Sequence, residues 1–82
     1  MKLSGYSPEA AKSKLGEEIQ SLIQDMQLLT QVDTSDLEGK LKSIQKGLDM
    51  SKNPTSDYIK QVNQMVNAIR FDFGKKQNEF DF

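Results

Sequence analysis

The 82-residue chain has no histidine, no cysteine and no tryptophan. A histidine-based hydrolase triad, a thiol nucleophile and the common zinc sites are thereby excluded, because each depends on imidazole or thiolate. Disulfides are excluded too, so a chain this short must draw its stability from helix packing or from association. No apolar run approaches the roughly 18 residues that span a bilayer. Met1-Lys2-Leu3-Ser4-Gly5 lacks the basic-then-apolar layout of a signal peptide, and a cytoplasmic location is the expectation. Charge of one sign is lacking as well: eleven Lys plus Arg oppose twelve Asp plus Glu, mixed from end to end. Neutralising several phosphates takes a basic stripe, so nucleic acid is not an expected partner. The glycines at 5, 16, 39, 47 and 74 are isolated, which rules out a phosphate-cradling loop.

What the chain does have is three apolar stripes at helical spacing, separated by capping signals. Ser7-Pro8-Glu9 opens the first helix, with Ser7 as cap, Pro8 at a position whose missing N–H is not needed, and Glu9 favourable to the dipole. Leu15, Ile19, Leu22, Ile23, Met26 and Leu29 then share one face. Ser35-Asp36-Leu37-Glu38 reads as a capping box for a second helix, whose stripe is Leu37, Leu41, Ile44 and Leu48. Asn53-Pro54 repeats the cap-then-proline logic and opens a third, with Tyr58, Val62, Met65, Val66, Ile69 and Phe73 in register and Ile59 on the flank. Gly74 is the expected stop. Short connections favour antiparallel neighbours. The expected fold is all-α, an up-down-up three-helix bundle with helices over about residues 8–30, 36–51 and 54–73 and a short tail, 75–82. Its expected core is Leu15, Ile19, Leu22, Met26, Leu37, Leu41, Ile44, Leu48, Tyr58, Val62, Val66 and Ile69.

Acidic residues are the only chemistry left for a catalytic or metal site. Glu17, Glu18 and Asp25 lie outside the apolar stripes, which marks them as solvated surface charge. Asp33-Thr34-Ser35-Asp36 lacks the ligand spacing and the later glutamate of a calcium loop, and helix capping explains it instead. No catalytic residue, metal, cofactor or small-molecule substrate is therefore expected. Binding to a protein partner is the expected activity.

Phe71, Phe73, Phe80 and Phe82 place four aromatics within twelve residues, more than one helix face can bury. Phe73 extends the third stripe. Phe71, Phe80 and Phe82 can either fold back to cap the bundle or form an exposed anchor, and they are the candidate partner-binding residues. Direct membrane insertion is opposed by Asp72, Glu79 and Asp81, so a membrane is reached only through a membrane-protein partner.

Leu48-Asp49-Met50-Ser51-Lys52-Asn53, then Tyr58-Ile59-Lys60-Gln61-Val62-Asn63 and Ile69-Arg70, with the earlier Ile19-Leu22-Ile23-Asp25-Met26, resembles the immunity proteins of pediocin-like bacteriocins over about residues 15–71. That family consists of small cytoplasmic antiparallel helix bundles. The resemblance implies protection of a producer cell by binding the bacteriocin-occupied sugar permease of the phosphotransferase system, with the C-terminal part setting specificity. The family normally adds a fourth helix, and only eight residues follow Gly74 here. A second resemblance is to WXG-type secretion proteins. Ser7-Pro8-Glu9 is similar to their N-terminal cap and Leu37-Glu38-Gly39 to their interhelical-turn tripeptide, with leucine in place of tryptophan. A third class open to such a bundle is a phage- or plasmid-encoded inhibitor of a host protein.

Overall fold

The structure, a computed structural model, describes the backbone of residues 5–80 and the side chains of residues 5–78. It is an all-α three-helix bundle, with α1 over Pro8–Leu28, α2 over Ser35–Met50 and α3 over Ser56–Phe80. The start of α1 lies beside the end of α2, where the Lys12 ammonium donates to the Ser51 carbonyl at 2.6 Å. The end of α3 lies beside the start of α2, where Lys76 sits 3.7 Å from Asp36. Direction therefore alternates, and each helix packs on the other two.

The first helix starts as its sequence dictates. Ser7 is the cap, its hydroxyl accepts the Ala10 amide at 3.2 Å, and Pro8 follows. The helix ends at Leu28, two residues short of the expected Thr30, where the Leu29 amide turns back to the Asp25 and Met26 carbonyls.

The other two starts differ from expectation. The Ser35–Glu38 capping box does not form, because Asp33 competes for Ser35: its Oδ1 accepts both the Ser35 hydroxyl, at 2.7 Å, and the Ser35 amide, at 3.0 Å. Thr34 becomes the residue before the helix, its carbonyl accepting the Glu38 amide at 2.9 Å and its hydroxyl donating to the Glu38 carboxylate at 3.0 Å. For α3 the start moves from Asn53-Pro54 to Ser56. The Thr55 hydroxyl accepts the Tyr58 amide at 3.1 Å, so threonine caps where asparagine was expected to.

The core contains ten of the twelve expected residues: Leu15, Ile19, Leu22, Met26, Leu37, Leu41, Leu48, Val62, Val66 and Ile69 are all buried, joined by Ala11, Ile23, Ile59 and Phe73. Tyr58 and Ile44 are the two corrections, both only partly buried against that core. Tyr58 and Ile59 are adjacent and point about 100° apart, so only one can face inward, and the branched aliphatic takes the site. The Tyr58 hydroxyl instead rests near Gly47, 3.5 Å from where a Cβ there would stand.

Gly74 does not stop α3, which continues to Phe80, so residues 75–80 are helix rather than a separate tail. The glycine keeps a negative φ, and a Cβ built on it would meet nothing within 4 Å. Lys76 rewards the continuation by donating to the Asp33 carbonyl at 3.0 Å. Gly74→Ala is accordingly expected to stabilise the protein by about 0.5–1 kcal/mol in urea titration, since alanine suits the helix and restricts the unfolded chain. A lowered midpoint would place the helix end at Gly74 after all.

Candidate interaction surface

The apolar residues left outside the core define the candidate site. Phe71 stands on the outer side of α3, 63% exposed, with the Lys75 ammonium 4.8 Å from its ring centre. Two residues further on, Phe73 is buried. The 200° between these positions on a helix separates the two phenylalanines into surface and core. Phe80 belongs to the last turn of α3, seven positions beyond Phe73, but its side chain lies outside the described residues, as does the whole of Phe82. Of the three sequence-derived candidates, Phe71 is the one whose exposure is defined.

Sequence reasoning missed two grooves, because both arise from the spacing between helices. One, of about 520 Å³, runs between α2 and α3 with Ile44, Met65, Ala68 and Ile69 along its floor and Lys40 and Asp72 on its rims. The other, of about 530 Å³, lies between α1 and the C-terminal part of α3, where Leu28, Leu29 and Phe73 meet Asp25, Arg70 and Gln77. Met65 and Leu28 are 43% and 81% exposed. Met65 shares the period of the third stripe but falls at its edge, about 100° from Val66 at the stripe's centre. That offset was the available signal for the first groove.

Polar contacts hold the frame around these surfaces. Arg70 on α3 reaches Glu18 on α1 at 3.3 Å and is steadied by the Asn67 side-chain oxygen at 2.9 Å. Both members of the ion pair are partly exposed, so it fixes helix position more than it adds stability. At the α1–α2 turn, the Ser35 hydroxyl and amide bonds hold the Asp33 carboxyl below its ordinary pKa, and Lys76 adds to the effect. A depressed folded-state value contributes stability above the ordinary aspartate range, and that contribution is lost as pH falls through the lower, folded value. Acid titration should therefore loosen this turn, and Asp33→Asn should flatten that part of the pH–stability curve. An unchanged curve would mean that these bonds carry no net stability.

Among the described residues, no group of three or more acids could hold a metal ion, and no helix is long and apolar enough to cross a membrane. Comparison with protein-family models, with curated proteins and with solved structures finds no match.

Proposed function

We propose that this chain is a non-enzymatic helical protein-binding module and, within that class, an immunity protein of the pediocin-like bacteriocin type. The observation that carries the binding reading is Phe71: a large aromatic left exposed on a helix whose opposite face is locked in the core. Aromatics on rigid supports contribute heavily to interfaces, because they bury large area while losing little conformational freedom. Phe80 and Phe82 are candidates on the sequence alone, their side chains lying outside the described residues.

The immunity reading is supported by where the resembling residues fall. Tyr58 to Asn63, Ile69 and Arg70 all lie on α3, the third helix of the antiparallel bundle, whereas Leu48-Asp49 is still helical at the end of α2 and the link to α3 begins at Ser51. The WXG reading is less well supported. Leu37-Glu38-Gly39, which would sit in an interhelical turn in that family, lies inside α2. A phage- or plasmid-encoded inhibitor is the reading to adopt if protection is absent. On the preferred reading the protein acts in the cytoplasm, and its partner is the bacteriocin-occupied permease.

Expression of the chain in a cell sensitive to pediocin-like bacteriocins tests this reading. A reduced response to at least one member of a broad panel is expected, with the protein retained inside the cell. Unchanged killing by the whole panel would overturn the immunity reading, and appearance of intact protein in the medium without lysis would favour secretion.

A further inference from the structure

Beyond Gly74 the last turns of α3 have no core of their own. Among the described residues Phe73 is the last buried side chain of the helix, and those at 75, 77 and 78 are exposed. Glycine weakens the helix at the junction, and residues 75–80 are too few to stay helical by themselves. A contact outside the helix must therefore favour its continuation to Phe80. Among the described side chains beyond Gly74, Lys76 is the one with a polar contact to another part of the bundle. Its ammonium donates to the Asp33 carbonyl at 3.0 Å and lies 3.7 Å from the Asp36 carboxylate, so it ties the end of α3 to the α1–α2 turn and the start of α2.

The same turn of α3 carries Lys75. It follows Phe71 by four residues, the spacing that brings helical side chains together on one face, and its ammonium stands 4.8 Å from the ring centre. Lys75 and Lys76 point about 100° apart, one over Phe71 on the outer side and the other toward the α1–α2 turn. The two contacts are linked through the backbone they share: a helix that ended at Gly74 would leave Lys75 without its place beside the ring.

We infer that Lys76 is a positioning residue for the surface around Phe71, because its tie to the α1–α2 turn keeps the end of α3 helical and so holds Lys75 against the ring. The inference rests on the reading of Phe71 as a binding residue and adds how that site is kept in order. A partner then meets an aromatic and a cation already set in place, and the ordering cost of binding is smaller.

NMR of the full chain tests this without any partner. Protons beside an aromatic face are shifted upfield, so the Lys75 side-chain methylenes report the arrangement. In Lys76→Met, which keeps the side chain's bulk and removes its donor, that shift should fall by about half or more, and the amides of residues 75–80 should exchange about three- to tenfold faster. Residues up to Phe73 should keep their exchange rates, and Lys76→Arg, which retains a donor, should stay close to the wild type. Adding Gly74→Ala to Lys76→Met should return both the helical Cα shifts and the Lys75 shift, since alanine favours the helix without the tie. An unchanged Lys75 shift in Lys76→Met would overturn the proposal, as would faster exchange that spreads through the buried core, or a double variant whose helix returns without the Lys75 shift. In bacteriocin-sensitive cells, protection should drop by about threefold or more with Lys76→Met and return with the double variant. Equal protection by the wild type and Lys76→Met would contradict the positioning role, whereas no protection from any of the chains would overturn the immunity reading alone.

Discussion

Replacing Leu41 with alanine is expected to destabilise the protein by about 3–4 kcal/mol, the range typical of Leu→Ala at sites that cannot collapse around the cavity. Leu41 has no exposed surface and lies in the middle of α2, between Leu37 and Leu48, which are also fully or almost fully buried. Native stabilities run at roughly 0.05–0.15 kcal/mol per residue, so a domain of this size has about 4–12 kcal/mol to lose. One side chain would thus remove about a quarter of the stability or more. With a urea slope of about 1 kcal/mol/M for a small domain, the midpoint should fall by about 3 M or the protein should be largely unfolded without denaturant. A loss below about 0.5 kcal/mol would mean that the second stripe is not the core of the bundle.

The opposite pattern is expected for Phe71→Ala. The side chain is 63% exposed, and its one described ring contact is with Lys75 on the same helix. Exposed cation–π contacts contribute about 0.5–1 kcal/mol, and the better helix propensity of alanine offsets part of that loss. The unfolding free energy should therefore change by less than about 1 kcal/mol. Partner binding should suffer far more. Burying a phenylalanine is worth roughly 1.5–3 kcal/mol, which corresponds to about a tenfold to hundredfold change in affinity. Equal losses of stability and of activity would mean that Phe71 belongs to the folding core, and the partner surface would have to be sought in the grooves.

Much of the fold was legible because the apolar stripes obey one period. Leu15 to Met26, Leu37 to Leu48 and Val62 to Phe73 each lie within an arc narrow enough to define a single inward direction. Residues at the edges of those arcs were not decidable from spacing alone. Ile44, Met65 and Tyr58 sit where two helix surfaces diverge, so their exposure depends on interhelical distance, which periodicity does not encode. The helix starts were ambiguous for a different reason. Asp33, Thr34 and Ser35 all carry capping side chains, as do Asn53 and Thr55, and the winner is set by which hydroxyl or carboxylate reaches an amide first. Gly74 has the setting of a helix end in sequence, a glycine before a polar stretch, whereas Lys76 finds its partners at Asp33 and Asp36 only in three dimensions.

For the candidate site, the excess of phenylalanines over one helix face was the legible signal: it assigned Phe73 to the core, where it lies, and left Phe71 open between capping the bundle and standing exposed, which only the three-dimensional structure decides. The grooves were not legible. Each combines residues from two helices far apart in sequence, such as Lys40 with Asp72 and Leu28 with Phe73. No motif search along the chain joins them.

The central claim is that a self-sufficient bundle acts through an exposed surface distinct from its core. It is tested most directly by the bacteriocin dose that kills sensitive cells expressing either the wild-type chain or Phe71→Ala, at equal intracellular abundance. The expected result is a raised lethal dose for the wild type and a loss of that protection by about tenfold or more in the variant, in line with the loss of one interface aromatic. Protection equal in the two strains, or absent from both, would contradict it.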